Sequence, residues 1–122
     1  REANVIVAGD LFFSGFFPFI DSGTGGSVQG MLAATDRILA MSNNDTRIVP
    51  GHGPLSNKQD LAAFRKMLAI TSAAVDELVT GGKTIDQAVA ADPTHAYNEK
   101  WGNGFLNAEK YVRVLYGALI KR

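Results

Sequence analysis

Two short runs of this 122-residue chain are rich in β-branched residues, and each run ends beside a glycine and a polar side chain. Residues 5–8 form the first run, which Gly9-Asp10 closes. Residues 46–49 form the second, which Pro50-Gly51-His52-Gly53-Pro54 stops. Such runs are typical of strands that are buried on both faces and end in a turn. Two or three strands make a thin sheet, so these strands need more neighbours than the chain supplies.

Four further segments carry apolar residues at helical spacing and are predicted to be helices. The longest covers residues 57–80, and Ser56 with Gln59 forms a capping-box pattern at its start. The other three begin at capping residues of the same kind, which are Ser27, Thr84 (with Gln87) and Asn107. The order of strands and helices predicts an α/β chain (α+β in some schemes) with few strands and outer helices.

Two segments are predicted to be irregular. Five of the seven phenylalanines lie between Phe12 and Phe19, where Gly15 and Pro18 interrupt any regular pattern. We interpret this stretch as a packed loop or broken strand that fills the core, with an exposed surface for substrate or partner as the alternative. Residues 92–104 are also predicted to be irregular, with Trp101 as their anchor.

Composition excludes several classes of protein. The chain has no cysteine, so it forms no disulfide, thiolate zinc site or iron–sulfur cluster. Twelve basic residues balance twelve acidic ones, which argues against nucleic acid as a partner. The longest apolar stretch, residues 11–20, is shorter than the roughly 20 residues of a membrane span, so no membrane is expected as a partner.

Asp10 and His52 are the strongest candidates for chemistry, because each directly follows a predicted strand. Strand ends are where α/β folds gather catalytic groups, and flanking glycines let a ligand approach the backbone. A carboxylate with an imidazole suits zinc, manganese or iron. The alternatives are a turn aspartate and a structural histidine. The second histidine, His95, fits an ordinary surface role, with the mouth of a substrate site as its alternative.

The two segments together resemble the C-terminal half of the metallo-β-lactamase superfamily. The residues that carry this resemblance are Gly9-Asp10-Leu11-Phe12-Phe13 and, after a helix, Arg47-Ile48-Val49-Pro50-Gly51-His52-Gly53-Pro54. Residues 92–105 look like the tail of glyoxalase II-like and quinoprotein-associated zinc hydrolases. The resemblance implies an αβ/βα sandwich, of which residues 1–122 would be the C-terminal portion of a single domain, without its N-terminal half.

The resemblance also implies the site. Asp10 would bridge two metal ions and orient a hydroxide, and His52 would bind the second metal. The family's other ligands come from an upstream His-x-His-x-Asp-His motif and one more histidine, which this chain lacks. The complete protein would be a metal-dependent hydrolase that uses two zinc ions, or manganese or iron, to activate water against a small-molecule ester, thioester or lactam.

For the isolated chain we expect no activity and no tightly bound metal, because two protein ligands leave a metal mostly water-coordinated. We expect it to associate with another copy or with the missing half, because half a sandwich exposes an apolar sheet face. Family resemblance favours a periplasmic location over a cytoplasmic one.

The rival hypothesis is a non-catalytic, self-associating structural fragment. Two other classes are disfavoured. The glycine-rich residues 22–27 lack both the P-loop ending and the dinucleotide-binding fingerprint, and the chain has no Gly-x-Ser-x-Gly motif of a serine hydrolase.

Overall fold

The computed structural model describes residues 4–20, 27–104 and 106–120, and for residues 10, 11 and 52 it describes the backbone alone. The predicted α/β class with few strands and outer helices is confirmed. The described residues form two strands and five helices in this order: β1 (Val5–Phe13), α1 (Val28–Met41), β2 (Arg47–His52), α2 (Lys58–Thr80), α3 (Ile85–Ala90), α4 (His95–Trp101) and α5 (Ala108–Ile120).

The two strands pair in parallel, with α1 as the crossover between them. Ile6 lies beside Ile48 and Val7 beside Val49. β2 continues to His52, three residues beyond its predicted end, because residues 50 and 52 still find partners on β1. The continuation through Pro50 was not predicted, since proline cannot donate to a sheet ladder.

Helices cover one face of this sheet. Ile6 and Ile48 point to that face and are buried. The ring of Phe12 lies 5.3 Å from that of Phe64 on α2, which joins the strand to the helical layer. Phe17 is fully buried in the same core, so the interpretation of the phenylalanine-rich stretch as core filling holds for most of it.

The opposite face, which we call the outer face, carries Val5, Val7, Arg47 and Val49 at alternate strand positions. Val7 is 75% exposed, so no part of the described chain covers it. The described residues therefore bury one face of the strands and leave the outer face without the further neighbours that the sequence predicts for the strands. Alternation places Leu55 on this side as well, because its neighbour Ser56 pairs with the inward-facing Ile48, and Leu55 is exposed.

Capping residues set the starts of four helices. Ser27 Oγ accepts a bond from Gly30 N, Asn107 Oδ1 accepts one from Lys110 N, and Thr84 forms its predicted box with Gln87. The predicted box of Ser56 with Gln59 is wrong.

The capping box of α2 lies one residue further along. Asn57 Oδ1 accepts a bond from Asp60 N at 2.8 Å, and the Asp60 carboxylate accepts one from Asn57 N at 3.2 Å. Ser56 does not cap α2 because it is extended and paired with Ile48.

Residues 95–101 form helix α4, where the sequence predicted irregular chain. Seven residues are too few for a helix that is stable by itself, so tertiary packing holds it. Trp101, the predicted anchor, is buried, and its carbonyl oxygen accepts a bond from Phe17 N at 3.0 Å. Among the described helices, none combines the length and apolarity that crossing a bilayer requires.

Candidate functional site

The backbones of Asp10 and His52 lie at the same end of the sheet, on neighbouring strands. Gly9 is the partner of Pro50 and Phe13 is the partner of His52, so three β1 residues stand opposite Gly51 alone. β1 therefore bulges by two residues here, after a first one-residue shift at Ala8, and Asp10 is the first residue of the larger bulge. Gly9 enters it with a φ of +58°, which side chains rarely adopt. Bulges re-aim side chains and recur beside active sites.

The segments that follow the two strands touch each other directly. Gly53 follows β2 with a φ of +99°. A Cβ built on Gly53 would overlap the carbonyl oxygen of Ser14, the first residue after β1. Glycine at position 53 thus allows a close approach that fixes the end of β2 against the end of β1.

A pair of buried hydroxyl groups reinforces this approach. Ser14 Oγ lies 2.7 Å from Ser56 Oγ. Ser56 Oγ donates its single proton to the carbonyl oxygen of Pro54 at 2.8 Å, so Ser14 must be the donor to Ser56. Ser56 is also bonded to Ile48 by two backbone hydrogen bonds of 2.8 and 2.9 Å. We call the bond from Ser14 to Ser56 the hydroxyl clamp.

Sequence reasoning missed the hydroxyl clamp because it assigned Ser56 to the cap of α2. One signal was present: Asn57 and Asp60 also have the spacing of a capping box. Assigning the cap to Asn57 would have left the Ser56 hydroxyl without a role and pointed to a tertiary partner. Nothing in the sequence distinguishes Ser14 in the same way.

The donor chemistry at the strand ends fits part of a metal site. A carboxylate and an imidazole on adjacent strand ends match two of the four ligands that zinc takes in proteins. The side chains of Asp10 and His52 themselves lie outside what the structure describes. Among the side chains that it does describe, no group of three histidine, aspartate or glutamate residues is placed to hold a metal ion. Further ligands would have to come from outside the described chain.

A shallow cavity of about 100 Å³ borders the hydroxyl clamp. It is lined by Ser14, Gly15, Asp60, Ala63, Lys100 and Trp101. The Lys100 ammonium lies 5.6 Å from the centre of the Trp101 ring. The cavity is smaller than the roughly 300 Å³ at which ligand pockets begin, so it suits a small polar group at most.

His95 lies in the first turn of α4 and is exposed. Its Nδ1 is 3.0 Å from Oδ2 of Asp92, whose other carboxylate oxygen accepts a bond from Asn98 at 2.9 Å. Tyr97 in the same helix is half-buried and packs against the core. Of the glycine-rich residues 22–27, the structure describes Ser27, which caps α1, and the others lie outside the described residues.

The chain matches no protein-family model and no curated protein. What the strand-end site does is therefore inferred from its residues and their geometry.

Proposed function

We propose that this chain is the C-terminal portion of a metal-dependent hydrolase of the metallo-β-lactamase type, with Asp10 and His52 as two ligands of a di-zinc centre. The observation that carries the proposal is the register of β1 on β2. It puts the bulge that begins at Asp10 opposite Gly51, next to His52, at one end of the sheet. A carboxylate and an imidazole at neighbouring strand ends are the two ligands that the resemblance implies for this part of the fold, and both are residue types that bind zinc.

In this proposal the chain supplies ligands and the geometry that holds them. Zinc, when bound, lowers the pKa of water toward neutrality and so provides hydroxide near neutral pH. The Asp10 carboxylate would bridge the two ions and orient the attacking oxygen toward a carbonyl carbon. The His52 imidazole would complete the shell of one ion. The remaining ligands would come from a partner segment that packs on the sheet.

The substrate we propose is a small-molecule ester, thioester or lactam, since all three present a carbonyl carbon to an activated water. Manganese or iron would serve the same donors. We propose a periplasmic location for the complete enzyme on family resemblance. The 122 residues alone would bind zinc weakly and would not hydrolyse the substrate.

A zinc titration of the isotope-labelled chain tests the proposal by nuclear magnetic resonance. We expect a weak but saturable shift of the His52 ring signals and of the amide signals of Asp10 and Gly51. Asp10→Asn and His52→Ala should each abolish it. His95→Ala is the matched control, because it removes the chain's other histidine and should leave the shifts at Asp10 and Gly51 unchanged.

Two results would contradict the proposal. One is a zinc response that is absent at His52 or centred on His95. The other is wild-type metal content and hydrolysis in both Asp10→Ala and His52→Ala, measured in a longer protein that contains this chain and its upstream ligands.

A second candidate function, self-association without catalysis, is favoured by the outer face of the sheet. Val7 on that face is 75% exposed, although valine is a residue that strands bury. A second copy of the chain, face to face, would cover it. Light scattering over a range of protein concentrations, together with the zinc titration, distinguishes the hydrolase from the self-associating fragment. Association without any zinc response at His52 would favour the fragment.

A further inference from the structure

The bulge in β1 leaves the position of Asp10 dependent on what holds the two ends of the bulge. Three residues, 10–12, stand opposite Gly51 alone, and residues inside a bulge leave the regular ladder of backbone hydrogen bonds. The amino end is held where Gly9 pairs with Pro50. The carboxyl end is held at Phe13 and at the residue after it, Ser14.

Ser14 is bonded to a segment that is itself part of the sheet. Its hydroxyl donates to Ser56 at 2.7 Å, and Ser56 is joined to Ile48 of β2 by two backbone hydrogen bonds. Ser14 and Ser56 are both buried, with 9% and 6% of their surface exposed. A buried hydrogen bond faces little competition from water, so this one persists as long as the segments stay packed.

We propose that Ser14 is a positioning residue, whose hydroxyl bond to Ser56 holds the bulge that carries Asp10 in place beside the end of β2 that carries His52. The inference rests on the proposed function, since a metal shared by Asp10 and His52 requires a fixed spacing between them. It assigns to Ser14 no contact with metal or substrate.

The chain offers a matched control at the other end of the same two strands. Thr46 Oγ1, buried just before β2, donates to Asn4 Oδ1, just before β1, at 2.8 Å. Thr46→Val removes that bond without touching the bulge. Its cost in global stability should be at least that of Ser14→Ala, because the same hydroxyl also accepts a bond from Asn43 N.

Amide hydrogen exchange of the whole chain tests the inference directly. Ser14→Ala should speed exchange at Phe13 and His52, the pair that closes the bulge, roughly five- to tenfold more than at the core of α5, which reports global opening. Ser56→Ala should give the same local pattern, and it replaces Ser14→Ala if that variant fails to fold. Thr46→Val should change exchange at Phe13 and His52 no more than at α5.

The zinc titration supplies a second measurement. If Ser14 only contributed to overall stability, its substitution would leave the zinc affinity unchanged. Ser14→Ala should raise the zinc dissociation constant at His52 several-fold, and Thr46→Val should leave it unchanged. The inference would be overturned if Ser14→Ala sped amide exchange equally throughout the chain, or did not speed it at all. It would also be overturned if Thr46→Val gave the same local increase in exchange as Ser14→Ala. Local loosening in Ser14→Ala without any zinc response at His52 in the wild type would instead support the clamp and overturn the proposed function.

Discussion

The ring of Phe17 lies flat on the ring of Tyr111, with centroids 4.1 Å apart and 9° between the planes. The stack joins the segment that follows β1 to α5 near the end of the chain. Phe17 also donates its backbone N–H to the carbonyl oxygen of Trp101, so the same segment is bonded to α4. The chain that leaves the candidate site is thereby part of the hydrophobic core.

The buried Tyr111 should make the stability of the protein fall at alkaline pH. Burial raises the pKa of Tyr111 above its ordinary value of 10.0, although a hydrogen bond with Thr71 opposes the shift. Tyrosine in the unfolded chain ionises at about pH 10, while Tyr111 in the folded chain keeps its proton to higher pH. The free energy of unfolding should therefore fall by up to about 1.4 kcal/mol per pH unit above about pH 10. Urea denaturation between about pH 8 and about pH 11.5 measures this slope.

The Tyr111→Phe variant separates this residue from other groups that titrate at alkaline pH. It should remove the contribution of Tyr111 to the slope and cost about 0.5–1.5 kcal/mol at neutral pH, since Thr71 keeps its bond to the carbonyl oxygen of Met67. An unchanged slope in Tyr111→Phe would show that Tyr111 is not the group responsible.

Helices were predictable from the sequence wherever local patterns decide them. The apolar stripe of α2 and the capping groups at Ser27, Thr84 and Asn107 act within a few residues of chain. α4 was missed because it is short and is held by the burial of Trp101. Whether that ring finds a buried site depends on distant residues such as Phe64, whose ring lies 6.3 Å away.

The start of α2 gives a test between two capping schemes. Asn57→Ala should cost about 1 kcal/mol of stability, because the Asn57 side chain satisfies the backbone N–H of Asp60. Gln59→Ala should change stability by no more than about 0.5 kcal/mol, since Gln59 is exposed and alanine favours helices. Chemical denaturation of both variants measures the difference. A large loss in Gln59→Ala with none in Asn57→Ala would restore the box predicted from the sequence.

The candidate site was only half predictable. The local pattern of β-branched residues and glycines predicts that Asp10 and His52 lie at strand ends. The register between the strands is not, since it depends on how the sheet packs under α1 and α2. The two-residue bulge and the contact of Gly53 with Ser14 are consequences of that register.

Gly53 should tolerate substitution far less well than another glycine of the same chain. Gly53→Ala puts a side chain at a φ of +99° and against the carbonyl oxygen of Ser14, so we expect a loss of about 1–3 kcal/mol. The matched control is Gly117→Ala in α5, where a Cβ meets nothing within 4 Å. Alanine there should stabilise the helix by about 0.5–1 kcal/mol. Thermal denaturation of the two variants gives the comparison, and equal effects would contradict the close approach at Gly53.

The outer face of the sheet gives the last prediction, which concerns association. Val7 is 75% exposed beside the partly buried Val49, and a second copy packed on this face would bury both. Val7→Lys should then weaken concentration-dependent association measured by light scattering, because it places a charge in that contact. The free energy of unfolding of the monomer should change by no more than about 0.5 kcal/mol, since the valine is already in solvent. Ile70→Lys, on the exposed side of α2, is the control and should leave association unchanged. A wild-type chain that stays monomeric at every concentration, or equal loss of association in both variants, would show that copies do not meet through this face.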